Sequence, residues 1–163
     1  MQTVEQTGAA EASSYEKERG KPMPNLSHSL LEPRIAFAFH NQAGDRFLVA
    51  IELTLELADG SVLTPDVTVL AKRPINWSRE PAHCRDLPIL VVEIISPSQG
   101  YLSVVEKKEV YFANGVQSVW EVNPALRLIA ILRPDEQVPQ VIQHGEAKDP
   151  ATGLTVRVED VFA

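Results

Sequence analysis

The sequence predicts an α+β fold in which helices pack on a mixed sheet, and three observations carry that prediction. A segment with helical spacing comes first, strand-like segments follow, and a second helical segment separates them from further strands. The chain has 163 residues, 44% apolar and 23% charged, the length and composition of one globular domain with a real core.

Residues 1–14, "MQTVEQTGAAEASS", are small and polar with almost nothing to bury, so disorder is expected there and a single domain over 15–163. "YEKERGKPMPN" reads as an extended charged arm. In "SHSLLEPRIAFAFHNQ", Leu31, Ile35, Ala38 and Phe39 recur at helical spacing and mark the first helix. Ser29 with Glu32 has capping-box form and leaves Pro33 in the first turn; a start at Ser27 would place Pro33 deeper, at the cost of a kink.

"FLVAIELTLEL" alternates from Val49 to Leu57, "ADGS" supplies an Asp59-Gly60 turn, and "VLTPDVTVL" returns, together a β-hairpin. A two-residue turn would make opposed residue numbers sum to 119, placing Asp66 opposite Leu53 (119 − 66 = 53) on the apolar face and partly buried. A bulge would reverse that facing. "AKRPINWSREPAHCRDLP" reads as a long polar loop. "ILVVEIIS" is apolar except for Glu93, the pattern of a central strand covered on both faces. "SVVEKKEVYFANG" gives a helix with Ser103 as N-cap and Asn114-Gly115 as its C-terminal signal. "VQSVWEV" and "LRLIAIL" add strands, and the tail suggests short strands around a turn from Pro150 to Gly153, then an apolar anchor.

Composition narrows the function classes. The single cysteine, Cys84, excludes an internal disulfide and a cysteine-rich zinc site. No apolar run approaches the roughly 18 residues of a membrane span, so no membrane partner is expected, and Met1 to Ser14 lacks signal-peptide form, which makes the cytoplasm the expected location. A formal net charge of −7 repels phosphate at long range, so any phosphate chemistry must rest on a local site. Lys72, Arg73, Arg79 and Arg85 with Trp77 form a candidate phosphate-contacting loop, diluted by Glu80 and Asp86, for which a solvated loop is the blander reading.

Two carboxylates stand where a charge is costly: Asp66 in the hairpin's second strand and Glu93 in the most apolar strand. Each needs a cation, a donor or a proton, and a divalent metal meets the needs of both. Hard oxygen ligands from two strands, helped by a backbone carbonyl, suit Mg²⁺ or Mn²⁺. The alternative is a structural pair satisfied by backbone donors or a lysine. Lys107 and Lys108 follow on the second helix. On the apolar face set by Val104, Val105, Tyr111 and Phe112, Lys108 is more central and Lys107 lies at the edge.

The succession "TPDVTV", "VVEIISPS", "EKKEVYFANGVQSVWEVNP" and "DPATGLTVRVEDVF" resembles the Uma2 family (DUF820) of restriction-endonuclease-like proteins over about residues 15–163. The resemblance implies the PD-(D/E)XK nuclease core of helix, three strands, helix and strand, here with extra C-terminal strands. It implies Asp66 and Glu93 as metal ligands for Mg²⁺ or Mn²⁺, assisted by the Ile94 carbonyl. By spacing to Gly115 and Val116 it assigns the lysine to Lys107, against the helical phase; the usual place two residues after the glutamate holds Ile95. Tyr15-Glu16 and His28 match further family positions, with Glu18 an alternative to Glu16, although a single histidine at a helix start is more often a capping or surface group. The chain departs from many members at Ser103 and Asn123. The implied function is metal-dependent phosphodiester hydrolysis with nucleic acid, by analogy DNA, as partner. The alternative is a nuclease fold kept as a non-catalytic binding or regulatory module; a homodimer is left open.

Overall fold

The computed structural model describes residues 21, 23–96 and 101–163. The segment 1–14 and the arm bearing Tyr15, Glu16 and Glu18 lie outside them. Helix α1 spans Leu26–Ala43, capped by Asn25, whose side chain accepts the His28 backbone N–H at 3.0 Å. The expected start at Ser29 or Ser27 is therefore corrected to a start that leaves Pro33 inside the helix. Asparagine ranks with the best N-caps, and burial of Leu31, Ile35 and Phe39 against the sheet holds the helix together past the donor that Pro33 lacks.

Strand β1 (Phe47–Ile51) pairs antiparallel with β4 (Val67–Ala71), and a small second hairpin, β2 (Leu55–Glu56) with β3 (Val62–Leu63), lies between them in the chain. Partners such as Leu48 and Leu70, or Leu55 and Leu63, sum to 118, so the expected register of 119 is off by one. The cause is the turn. The Gly60 N–H donates to the Leu57 carbonyl and the Leu57 N–H to the Ser61 carbonyl, each at 2.9 Å, which makes a three-residue loop with Gly60 left-handed at φ 86°. Asp66 consequently faces Glu52 (118 − 66 = 52), whose N–H donates to the Asp66 carbonyl at 3.0 Å, and not Leu53. The alternating run expected from Val49 to Leu57 is also broken. Glu52 takes φ 53°, and residues 54–56 turn to bond the Cys84 backbone through Cys84 N–H to Thr54 at 2.8 Å and Glu56 N–H to Cys84 at 2.9 Å.

Strand β5 (Leu90–Ile94) is buried throughout and sits between antiparallel β4 and parallel β6 (Ser118–Asn123). Helix α2 (Tyr101–Ala113) makes the crossover that a parallel pair requires. It begins before Ser103, so that residue lies in the first turn rather than at the expected N-cap. Its other end matches expectation: Gly115 at φ 97° allows its N–H to bond the Phe112 carbonyl while the Val116 N–H bonds that of Tyr111. β7 (Leu128–Leu132) and β8 (Gln140–Ile142) complete a sheet of order β1-β4-β5-β6-β7-β8. One face packs on α1 and on the terminal β9 (Glu146–Lys148), β10 (Thr155–Arg157) and α3 (Val158–Val161); Tyr111 and Val116 at the end of α2 join the small hairpin on the other. Among the described residues no helix is long and apolar enough to cross a membrane.

The terminal unit is fastened by a buried carboxylate. Asp149 accepts the Trp120 indole N–H at 3.0 Å on one oxygen, and on the other the Thr152 N–H at 2.7 Å and the Thr152 hydroxyl at 2.8 Å. Asp149→Ala strands these donors in the core and is expected to lower unfolding free energy by about 3 kcal/mol, read by urea denaturation, because buried groups robbed of a charged partner bear the whole desolvation cost.

Candidate active site

The start of β4 lies beside the end of β5, Val67 being paired with Val92. Pro65 has no N–H to give to a ladder, and β3 and β4 are separated there. Asp66 is 1% exposed; its N–H donates to the Val92 carbonyl at 3.1 Å and its Oδ2 accepts the Ile94 N–H at 2.5 Å. The other oxygen, Oδ1, lies 2.5 Å from Lys21 Nζ and 3.1 Å from His28 Nε2. Lys21 Nζ is also 3.6 Å from Glu52 Oε1, and His28 Nε2 is 3.7 Å from Glu32 Oε2.

Glu93 comes from the neighbouring strand and points to the α2 side. The Tyr111 hydroxyl donates to its Oε1 at 2.7 Å, and Lys107 Nζ lies 3.5 Å from its Oε2. Burial pushes the Glu93 carboxyl above its ordinary value of 4.5, opposed by Lys107 and reinforced by Asp66, with Lys21 and the Tyr111 hydroxyl pulling it down. Tyr111 is itself raised, first by burial and then by Glu93. Lys108 serves a different carboxyl. It opposes the burial that raises Glu121, the residue beside Glu93 in the β5–β6 register. The choice between adjacent lysines thus falls to Lys107 at Glu93, on the helix edge and not at the centre of its apolar face.

Lys21, Asn25, His28, Asp66, Glu93 and Ile94 line a cavity of about 20 Å³, closed by Met23, Ile95, Ser96 and Pro124. That is room for roughly one water-sized occupant. One ligand atom each from His28, Glu52 and Asp66 lies within 4.8 Å of the others, a set of two carboxylates and one imidazole able to hold a divalent metal ion.

Of the residues singled out in the sequence, Asp66 and Glu93 are brought to one sheet end, but Asp66 groups with His28 and Glu52 as possible ligands while Glu93 bonds Tyr111 and faces Lys107; Ile94 takes part through its N–H to Asp66, not through the expected carbonyl, and Glu16 lies outside the described residues. His28 is buried beside Asp66 and does not sit on the surface; only its backbone N–H takes part in capping. Sequence reasoning missed Glu52, Lys21 and the polar role of Tyr111. Glu52 would have followed from a three-residue turn, and Tyr111 from lying four residues past Lys107 on one helix face; Lys21 carried no signal. Asn123 bonds the Leu126 N–H at 3.0 Å, closing a turn that an aspartate would close equally. Two of the four cations of the candidate phosphate loop are committed elsewhere: Arg73 pairs with Glu80 at 2.8 Å and with Asp86, and Arg85 with Glu56 at 3.0 Å.

The sequence model of the Uma2 family, described as "Putative restriction endonuclease", matches residues 16–159. Among solved structures the chain is similar to a "putative nuclease belonging to DUF820" from Anabaena variabilis, with TM-score 0.73 and 21% identity over 86% of this chain and 83% of that one. The likeness establishes the restriction-endonuclease-like fold. A DrdV–DNA complex matches with TM-score 0.39 and 9% identity over 71% of this chain and 84% of that one, too distant to support further argument. No curated protein matches.

The raised Glu93 carboxyl has a consequence for stability without metal. A group whose folded-state pKa lies above its unfolded value of 4.5 stabilises the fold fully below 4.5, and the contribution is lost as pH rises through the raised value. Glu93→Gln keeps the neutral shape and is expected to be the more stable chain at pH 7, with the advantage shrinking to nothing as pH falls to about 4. Thermal unfolding of both chains across that range in a chelating buffer is the measurement; a wild type more stable at pH 7 would show that Lys107 outweighs burial.

Proposed function

Since the chain belongs to the Uma2 family of restriction-endonuclease-like proteins, we propose that it is a metal-dependent nuclease that hydrolyses phosphodiester bonds, with DNA as its substrate. The observation that carries this reading is that Asp66 and Glu93 line one small cavity at the sheet end, with His28 and Glu52 grouped with Asp66 and Lys107 lying 3.5 Å from Glu93 on its α2 side. Buried ion clusters are weak stabilisers, and an apolar core of the same volume would serve the fold as well, so their position in a cleft argues for chemistry.

In this reading Asp66 and Glu93 hold Mg²⁺ or Mn²⁺, with the Ile94 carbonyl assisting and His28 and Glu52 completing the donor set. The ion, when bound, supplies Lewis acidity toward a phosphoryl oxygen and acidifies a coordinated water. Lys107 offers a positive charge on the α2 side, where it can orient water or offset charge developing at phosphorus. Tyr111 fixes the Glu93 carboxylate by its hydrogen bond and thereby keeps the adjacent lysine in register. Glu16 is proposed as a further carboxylate approaching from the N-terminal arm.

A second reading has one observation in its favour. With Arg73 and Arg85 tied to carboxylates and a net charge of −7, the surface offers little to attract a polyanion, as suits a module that kept the scaffold without cutting. Activity separates the two. Purified protein with Mg²⁺ or Mn²⁺ is expected to nick DNA, and Asp66→Asn, Glu93→Gln and Lys107→Ala are each expected to reduce nicking by about 10²-fold or more while leaving the fold intact. The triple variant should be no worse than the weakest single one, since groups acting as a unit are non-additive. A broad panel of DNA and RNA left uncut, under varied metal and salt, would replace the enzyme with the binding module.

A further inference from the structure

Lys21 is 7% exposed, a rare state for a lysine, and its burial is explained by where its ammonium lies: 2.5 Å from Asp66 Oδ1 and 3.6 Å from Glu52 Oε1. Those two carboxylates are also the acidic members of the set, completed by His28, whose ligand atoms gather within 4.8 Å. The ammonium stands on Asp66 Oδ1, the oxygen that also lies 3.1 Å from His28 Nε2. A monovalent and a divalent cation cannot share one carboxylate oxygen without strong repulsion at short range.

We propose that Lys21 is a tethered cation that competes with the divalent ion for Asp66 and Glu52, so that loading the site requires its ammonium to withdraw. The inference rests on the metal-dependent reading above. Lysine suits the role: its charge is a compact point on a flexible four-carbon stem, able to fill the cation position and to leave it without disturbing the backbone. It reaches the site from just before α1, and α1 also supplies His28, so one short stretch carries both a competitor for the ion and a ligand to it. Without metal the lysine compensates Asp66 and Glu52; with metal it is superfluous there. Apparent metal affinity is then lowered by the fraction of chains in which the ammonium is out of place.

The test is calorimetric titration of Mn²⁺ into the full chain as wild type, Lys21→Met and Asp66→Asn. Lys21→Met keeps the apolar stem and removes the charge, and it is expected to bind about tenfold tighter than wild type, with binding lost in Asp66→Asn. Thermal unfolding supplies a second readout: Lys21→Met should have the lower midpoint in chelator and the larger rise on adding Mn²⁺. If Lys21→Met does not fold in chelator, recovery of its fold by Mn²⁺, followed by circular dichroism, supports the competition, and failure to recover overturns it. Equal affinity in wild type and Lys21→Met overturns the competition and leaves the metal site standing; weaker binding in Lys21→Met also overturns it and makes the lysine an ally of the ion. Absence of binding in every chain overturns the metal-dependent reading together with the inference built on it.

Discussion

Carboxylates brought out of water must be compensated, and that constraint arranges one whole end of this molecule. Asp66 is 1% exposed and Glu93 6%, and Glu52 lies within reach of the same ammonium as Asp66. An isolated carboxylate in such a place would cost several kcal/mol. The compensation comes from elements far apart in the chain: Lys21 before α1, His28 in its first turn, Lys107 and Tyr111 on α2, and the Ile94 N–H at the end of β5. The start of α1 and the phase of α2 decide whether these partners arrive. Beginning α1 after Asn25 places His28 in its first turn, where it reaches Asp66, and the turn of α2 that buries Tyr111 also carries Lys107 to Glu93.

Pro65 explains why the cluster lies where it does. A strand running unbroken from β3 into β4 would have its polar groups used by neighbours on both sides. The proline removes one donor, the left-handed Glu52 at φ 53° breaks the facing strand at the same level, and the Asp66 side chain takes over pairing by accepting the Ile94 N–H. A non-glycine residue in that region costs of order 1 kcal/mol and persists only where its surroundings impose it. Here the break puts the Glu52 carboxylate beside Lys21 rather than in the sheet.

The fold was legible because its signals are local and redundant. The central strand announced itself through continuous apolar residues, the crossover helix through its Asn114-Gly115 end, and the terminal hairpin through its turn. Errors arose where a single residue decides. Whether the turn around Asp59 and Gly60 holds two residues or three sets the register of the whole hairpin, and both fit the same letters. Asn25 against Ser29 as N-cap is a contest between similar capping energies that tertiary packing settled in favour of the longer helix. Asp66 and Glu93 were visible in the sequence because a charge among apolar strand residues is conspicuous. Lys21 and Glu52 were not, for a charge in a polar arm or an alternating strand looks the same whether it faces water or a buried carboxylate. Spacing and helical phase disagreed over Lys107 and Lys108. The structure divides the pair between Glu93 and Glu121, so a lysine at the edge of an apolar face reached the more buried carboxylate.

The charge balance of the cluster links its stability to its proposed chemistry. Asp66, Glu52 and Glu93 can carry three formal negative charges against the two ammoniums of Lys21 and Lys107, and burial raises the Glu93 carboxyl above its ordinary value, the direction in which that imbalance eases. In the competition proposed above, a divalent ion that enters as Lys21 withdraws brings two positive charges where one leaves. Neither state then leaves Asp66 or Glu52 uncompensated. A site designed only for structure has no need of such an exchange, since fixed ion pairs or apolar side chains would fill the same volume with fewer moving parts. On the proposed competition the change on loading falls on Lys21, whose flexible stem can move without asking the sheet to do so.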